Sequence, residues 1–418
     1  MTGASLRRNV AAVVVGNGAY AICQFAMLAA LARLTDSTEV GRYALALGVT
    51  APLFLFAGLK LRQVQVTDVH GRNTPGEFLG LRIVMSVLAL VASVGVALVA
   101  GQPPGPVTAV ALNKMAEGQL DSLFGTLQRH EQMTNVARAQ VARSTLGLVA
   151  FVAAVAATGS AAAGALALAA VNVLVSRATA AVVRRQGRSV RPELSPAALC
   201  SLAWLALPLG VSVALGSVLA NVPRYLLQHF EGPSAVGVFA ALAYVTATTG
   251  TVVQAVAESA SPRLANQYAA GELGAMSRLL GRLVMTGAAI GLLGVVASWA
   301  FAAPVLRIVF GPEYAAHADV LVVLMVAATL QYAAVFVGTT VDAVRAFRVQ
   351  APLTALGLLT AIVAGWTLTR DGGLIGTAWS TVVTQVVLGV GHVVVLVTVL
   401  RPRLERRQPR HRALTGRR

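Results

Sequence analysis

The sequence predicts an all-α polytopic membrane protein of about twelve transmembrane helices, in two parallel six-helix repeats around a central cavity. Three observations predict it. The 418 residues are 56% hydrophobic and only 12% charged, with a mean hydropathy of +0.73, whereas a soluble globular chain carries about 25% charged residues. The apolar stretches reach 20 residues or more, the length needed to cross roughly 30 Å of hydrocarbon. Arginines crowd alternate loops. Backbone groups in lipid must be satisfied internally, and these Ala/Val/Leu/Gly runs lack the short alternation of a barrel, so the chain is helical.

The runs fall at 10–33, 41–60, 78–100, 106–127, 136–157, 161–183, 198–228, 235–257, 280–303, 318–341, 351–369 and 373–400, with polar or Gly/Pro punctuation between them. The first follows Arg7 and Arg8 and extends to about Leu34; that is too long for a signal core, so it is read as an uncleaved helix. The longest loops lie near 184–197, 258–279 and 304–317, and no soluble domain fits in any of them. The expected organisation is an N-terminal six-helix bundle over 1–183, a cytoplasmic linker over 184–197, a C-terminal bundle over 198–400 and a basic tail over 401–418.

A formal charge of +17 invites a nucleic-acid reading, but the tail alone holds eight Arg and one Glu, and most other cations sit in short loops. With no folded soluble module to carry it, nucleic-acid binding is set aside. The charge reflects orientation and contact with anionic membrane lipids. With the N-terminus in the cytoplasm, the cytoplasmic loops hold Arg72, Arg82, Arg129, Arg138, Arg184, Arg185, Arg188, Arg191, Arg263, Arg278, Arg282, Arg345 and Arg348. The opposite side has Arg33, Arg42, Arg307 and Arg370. The positive-inside rule therefore places both termini in the cytoplasm of a cell-membrane protein with an even helix count. Cys23 and Cys200, each in or at the start of an apolar run, give neither a disulfide framework nor a metal site.

A repeat supports the pairing of halves. LARLTDSTEVGRYA (Leu31 to Ala44) lies without a gap on LQHFEGPSAVGVFA (Leu227 to Ala240), with Val40-Gly41 on Val236-Gly237. That equates the first helix with the seventh; an even offset of six helices makes the halves parallel repeats.

Ionisable residues at membrane depth cost at least about 2.5–3.5 kcal/mol, so each should face a cavity or a partner. The fourth run has the densest set: Lys114, Glu117, Asp121, Gly125 and Gln128 fall on one face at about 100° per residue. Lys114 and Glu117 are spaced to pair. Glu117 or Asp121 suits a proton or sodium ion and Lys114 an anion; the plainer reading is an interhelical polar lock. Arg224 follows Pro223 inside the seventh run, where a guanidinium fork suits phosphate oxygens or snorkels to headgroups. Lys60 and Arg62 close the second run as anchors or substrate contacts, and Asn17 and Gln24 lie two turns apart on the first helix, facing a lumen or a neighbour. His392 reads as an interhelical hydrogen bond and Asp342 with Arg345 as a surface pair. No Walker, HExxH or GxSxG sequence occurs, so neither an enzyme nor a cofactor is expected.

GNGAYAICQFAMLAALARL, EVGRYALALGVTAPLFLFAGLKLRQVQVTD, NKMAEGQLDSLFGTLQRHEQM, NVPRYLLQHFEGPSAVGVFAALAY, ASPRLANQYAAGEL and RIVFGPEY together resemble the lipopolysaccharide/polysaccharide-repeat flippases of the multidrug, oligosaccharidyl-lipid and polysaccharide (MOP) exporter superfamily. The resemblance implies two six-helix bundles forming a cleft, the MATE-like fold. It implies as substrate an undecaprenyl-diphosphate-linked oligosaccharide, flipped to the outer leaflet, with a polysaccharide polymerase and glycosyltransferases as working partners. Arg224 and Lys114 then become the foremost phosphate or sugar contacts, and Glu117 or Asp121 couples transport to H+ or Na+. Two other readings stand beside it: a cation-coupled exporter of small amphipathic compounds, and a non-transporting scaffold of a polysaccharide assembly complex.

Overall fold

A computed structural model describes residues 3–68, 73–187, 190–344, 346 and 349–405. Among these the chain is helical, with no strand. The helices are α1 (Gly3–Leu34), α2 (Ser37–Gly58), the short α3 (Leu61–Thr67), α4 (Pro75–Val99), α5 (Pro104–Arg129), α6 (Met133–Thr158) and α7 (Ala161–Arg185). They continue with α8 (Pro196–Phe230), α9 (Pro233–Ala269), α10 (Leu273–Val309), the single turn α11 (Pro312–Ala315) and α12 (Ala318–Ala343). The stretch Gln350–Glu405 is broken at Gly373 (φ 52°, ψ −131°) into α13 (350–372) and α14 (374–405). Only a residue without a side chain adopts that conformation cheaply. Each predicted run lies within or almost wholly within one of these helices. Ten stretches are long and apolar enough to cross a membrane; α5, with its charged stripe, is not among them.

Local chemistry sets the starts. Asp36 caps α2 by accepting from the Glu39 amide at 2.8 Å. Thr74 and Glu77 form a reciprocal capping box on α4, which satisfies two amides that the first turn leaves unpaired. The ends differ from expectation. α9 and α10 continue well past the predicted 257 and 303, so the supposed loops 258–279 and 304–317 are largely helical. Hydropathy marks where a chain leaves the hydrocarbon, while a helix persists until its hydrogen-bond ladder is interrupted. Here that happens at Gly271, with φ 71°, after α9 and at Gly311, with φ 119°, after α10.

Trp204 and Trp299, 78% and 80% exposed, stand with many Leu and Val side chains on outward faces, as expected where lipid is the solvent. Between helices the driving force is close packing of small residues. At the α2–α9 contact, a Cβ on Gly41 would fall on the Pro233 carbonyl, and a Cβ on Gly237 on the Ser37 carbonyl. In the repeat register Ser37 corresponds to Pro233 and Gly41 to Gly237, so the contact is reciprocal. Ser37 and Ser234 share a hydrogen bond of 2.7 Å beside it, and Ser37 also bonds Glu313.

The chain separates into two compact units, Met1–Ala241 with Leu306–Tyr314, and Leu242–Val305 with Ala315–Arg418. Unit 1 thus holds α1–α8, the first turns of α9, the last turn of α10 and most of α11. In unit 2, His392 bonds the Leu388 carbonyl one turn back at 2.8 Å and packs against Gly338; its hydrogen bond is intrahelical rather than interhelical. Arg345 lies outside the described residues, and Asp342 instead accepts from Gln350 at 2.6 Å.

Candidate functional site: a cationic cavity in unit 1

The charged face of α5 opens on a cavity of about 500 Å³ walled by α1–α6. Two carboxylates organise it. Glu117 accepts from Lys114 Nζ at 2.9 Å and from Arg143 Nη2, on α6, at 3.0 Å. The Tyr20 hydroxyl on α1 donates to Glu117 at 3.4 Å, and the Arg143 guanidinium lies 4.7 Å from the Tyr20 ring centroid. One turn along α5, Asp121 accepts from Arg62 Nη1 at 3.1 Å on one oxygen and from Arg82 Nη2 at 2.6 Å on the other. Arg62 also donates from Nε to Gln128 at 3.0 Å and lies 5.6 Å from the Phe124 ring. Four cations thus meet two carboxylates, and the wall keeps a positive excess.

Arg82 is the most telling of the four. Its side chain is only 9% exposed, its Nε has no hydrogen-bond partner, and it lines the cavity. Buried polar atoms are nearly always satisfied, and this buried guanidinium N–H is an exception. Room for the Arg82 side chain is built in: a Cβ on Gly58 would stand 2.8 Å from its Nη1, and one on Gly118 3.4 Å from its Cδ.

Two smaller spaces adjoin. One of about 70 Å³ lies behind the Lys114–Glu117–Arg143 group and is lined also by Tyr20, Gln24, Asn113 and Asn172, the last two hydrogen-bonded at 2.9 Å. The other, of about 440 Å³, is lined by Lys60, Arg62, Gln63, Val66, Thr67 and Gln128. It shares Arg62 and Gln128 with the main cavity.

The structure brings Lys114, Glu117, Asp121, Arg62 and Asn17 to the main cavity, Gln24 to the small one, and Lys60 to the third. It does not bring Arg224 to them. That guanidinium donates to Asn221 at 2.6 Å on its own helix, and Asn221 is seated against Gly48 of α2. Sequence reasoning missed Arg82, counted as a loop arginine, and Arg143. A signal existed for the first: Arg82, Ser86 and Ser93 share one face of α4, and all three are buried.

A family model described as "Polysaccharide biosynthesis protein" matches residues 6–267, and the chain belongs to that family. It is 25% identical over 388 residues to the capsular polysaccharide biosynthesis protein CapF of Staphylococcus aureus, spanning 91% of this chain and 96% of that one. Among solved structures it resembles an inward-facing multidrug resistance MATE family transporter of the MOP superfamily (TM-score 0.75, 13% identity, covering 92% and 95% of the two chains). It also resembles a MOP superfamily transporter from Pyrococcus furiosus, described by a reversed polarity of its binding pocket that suggests a different function (TM-score 0.60, 15% identity, 96% and 95%). The fold is therefore that of the MATE transporters it resembles.

Proposed function

We propose that the chain is a flippase that moves an undecaprenyl-diphosphate-linked oligosaccharide from the cytoplasmic to the outer leaflet of the cell membrane, for surface polysaccharide assembly. Membership of a polysaccharide biosynthesis family supplies the pathway class. The observation that carries the reading is the excess of cations over carboxylates on the cavity wall. A diphosphate leaving water needs charge-assisted donors, and guanidinium forks match its oxygens. An exporter of small cationic amphiphiles would call for the opposite sign.

Asp121 holds Arg62 and Arg82 through one oxygen each, which is the arrangement two phosphate oxygens would adopt. An arriving phosphate therefore competes with Asp121 for the same donors. Lys114 and Arg143 stay aligned by Glu117 and Tyr20 and face a second phosphate or an acidic sugar. Asp121 and Glu117 are the carboxylates proposed to exchange counter-charge with H+ or Na+. Arg224, bonded to Asn221, is left out of the binding set. Both termini are proposed to be cytoplasmic, with bundles 1–183 and 198–400 joined by the linker 184–197 acting as the halves of an alternating-access cycle. A polymerase and glycosyltransferases are its expected partners in the pathway.

A leaflet-resolved assay tests this: fluorescent polyprenyl-diphosphate sugar in proteoliposomes, with accessibility read from one side. Protein-dependent transfer that Arg82→Gln and Lys114→Ala each slow, at unchanged expression, is the expected result. Transfer no faster than in empty vesicles would sink the reading.

A further inference from the structure

The third cavity, beside the break between α2 and α3, is not explained by diphosphate binding. Its lining is one lysine, one arginine, two glutamine amides, a threonine hydroxyl and a valine, with no carboxylate. That set supplies donors and acceptors for hydroxyl groups beside the aliphatic stems of the same side chains, a mixture that suits the polar edges and apolar faces of a sugar ring. It adjoins the cationic cavity at Arg62 and Gln128, which line both. A ligand anchored by its charge at Arg62 and Arg82 therefore extends naturally past Gln63 towards Lys60.

The cavity is constructed at a cost. Leu59 and Lys60 are consecutive residues with left-handed backbone, φ 48° and 47°, each costing about 1–2 kcal/mol for a residue with a side chain. The surroundings impose this conformation. Leu59 is 1% exposed in a cluster with Phe78, Leu81 and Leu202, and α3 is fastened along α5 by Gln65 on Thr126 at 2.9 Å and Arg129 on the Asp68 carbonyl at 2.7 Å. The break redirects the segment that carries Lys60, Gln63 and Thr67, which lie at helical spacing on one face of it. Strain held at such a place is a mark of function. Composition adds an independent sign: Lys and Arg total 33, yet only Lys60 and Lys114 are lysines, and both line these cavities. Among the described residues Lys60 has no carboxylate partner.

We infer that this cavity is a carbohydrate subsite, which takes the sugar next to the diphosphate through Lys60, Gln63, Thr67 and Gln128 and so reads the cargo. The inference rests on the flippase reading of the cationic cavity.

The test uses the full chain in nanodiscs and four probes: geranyl diphosphate, and the same compound carrying a hexose, an N-acetylhexosamine or a deoxyhexose. At least one sugar-bearing probe is expected to bind roughly tenfold tighter than geranyl diphosphate, about 1.4 kcal/mol. Gln63→Ala, an exposed position outside the core, should erase that gain and leave the Kd of geranyl diphosphate unchanged. The favoured probe should also slow amine-reactive labelling of Lys60, read by peptide mass spectrometry, while geranyl diphosphate does not. If geranyl diphosphate binds and no sugar adds affinity, or the gain survives Gln63→Ala with Lys60 unprotected, the subsite is refuted while the cationic cavity stands. If none of the four probes binds, the reading beneath it fails and the subsite falls with it.

Discussion

Two segments leave the same reciprocal contact and then diverge: α2 after Gly41, and α9 after Gly237. Their turns share Val40 and Val236, both fully buried, and Ala44 and Ala240, both 3% exposed. Carried forward in the same register, Leu59 meets Ala255, Lys60 meets Val256 and Arg62 meets Glu258. The first copy breaks at Leu59–Lys60 and delivers two cations to cavities. The second runs on as helix to Ala269, and Glu258 is exposed with only a hydrogen bond from Gln254 at 3.1 Å. All ion pairs among the described residues lie in unit 1. The packing device occurs in both segments, and the paired charge among the described residues lies beside the first only. Close packing tolerates few alternatives at a contact between backbones, whereas a helix end facing polar space is free to change.

The largest expected effect attacks what the copies share. Gly41→Val drives a side chain into the Pro233 carbonyl, which cannot yield as a side-chain tip would. Overpacking of this kind costs up to about 3 kcal/mol. Gly237→Val should lose as much against Ser37, so thermal unfolding in detergent should show two equal drops in Tm. A large drop in one copy alone would break the reciprocity.

The next effect probes what they do not share. Removing one partner of a desolvated charge pair costs at least about 2 kcal/mol, roughly a thirtyfold change. Arg82→Gln should therefore slow sugar-lipid transfer by that order, while Glu258→Gln in the second copy changes it less than roughly twofold, as exposed charges contribute little. Comparable losses at both would show that both copies carry the site.

How much of this was legible beforehand follows the same division. Helix positions were readable because hydrophobic run length is dictated by bilayer thickness, and the α5 stripe because Lys114, Glu117 and Asp121 sit at helical spacing where charge is costly. The overextended α9 and α10 were not readable, since their last turns lie beyond the apolar run. Arg82 and Arg143 were lost among arginines at similar depth: anchor and ligand differ only in which way the side chain faces, and tertiary packing sets that. Arg224 is the converse case, a sequence feature suited to phosphate that packing commits to Asn221. The break at Leu59–Lys60 gave no warning, because neither residue is a glycine or an asparagine.

A smaller effect separates structure from binding within the first copy. Glu117→Gln leaves Lys114 and Arg143 facing each other without a carboxylate. The group is partly exposed to the cavity, so the penalty is the reduced one of about 1–2 kcal/mol. Adding Arg143→Gln should restore part of the lost stability, the non-additivity expected of neighbours in one network. Simple additivity in a double-mutant cycle would mean that Glu117 does not bridge them.

The smallest effect tests whether the break is strained. Asparagine enters the left-handed region more easily than lysine because its short amide bonds the local backbone. Lys60→Asn should therefore raise stability by about 0.5 kcal/mol, helped by removing a cation two residues from Arg62. The same change at Val256 puts an amide on an exposed face of a continuous helix within an apolar span, where it should lower stability by a similar amount, as polar groups there are costly. Sugar-dependent affinity should fall in the first variant and not in the second. Opposite signs of stability change, with binding lost only where stability is gained, would show the second copy to be an unstrained version of the first. A loss of stability at both positions would mean that Lys60 is comfortable as it stands, and that the left-handed turn holds no energy set aside for a ligand.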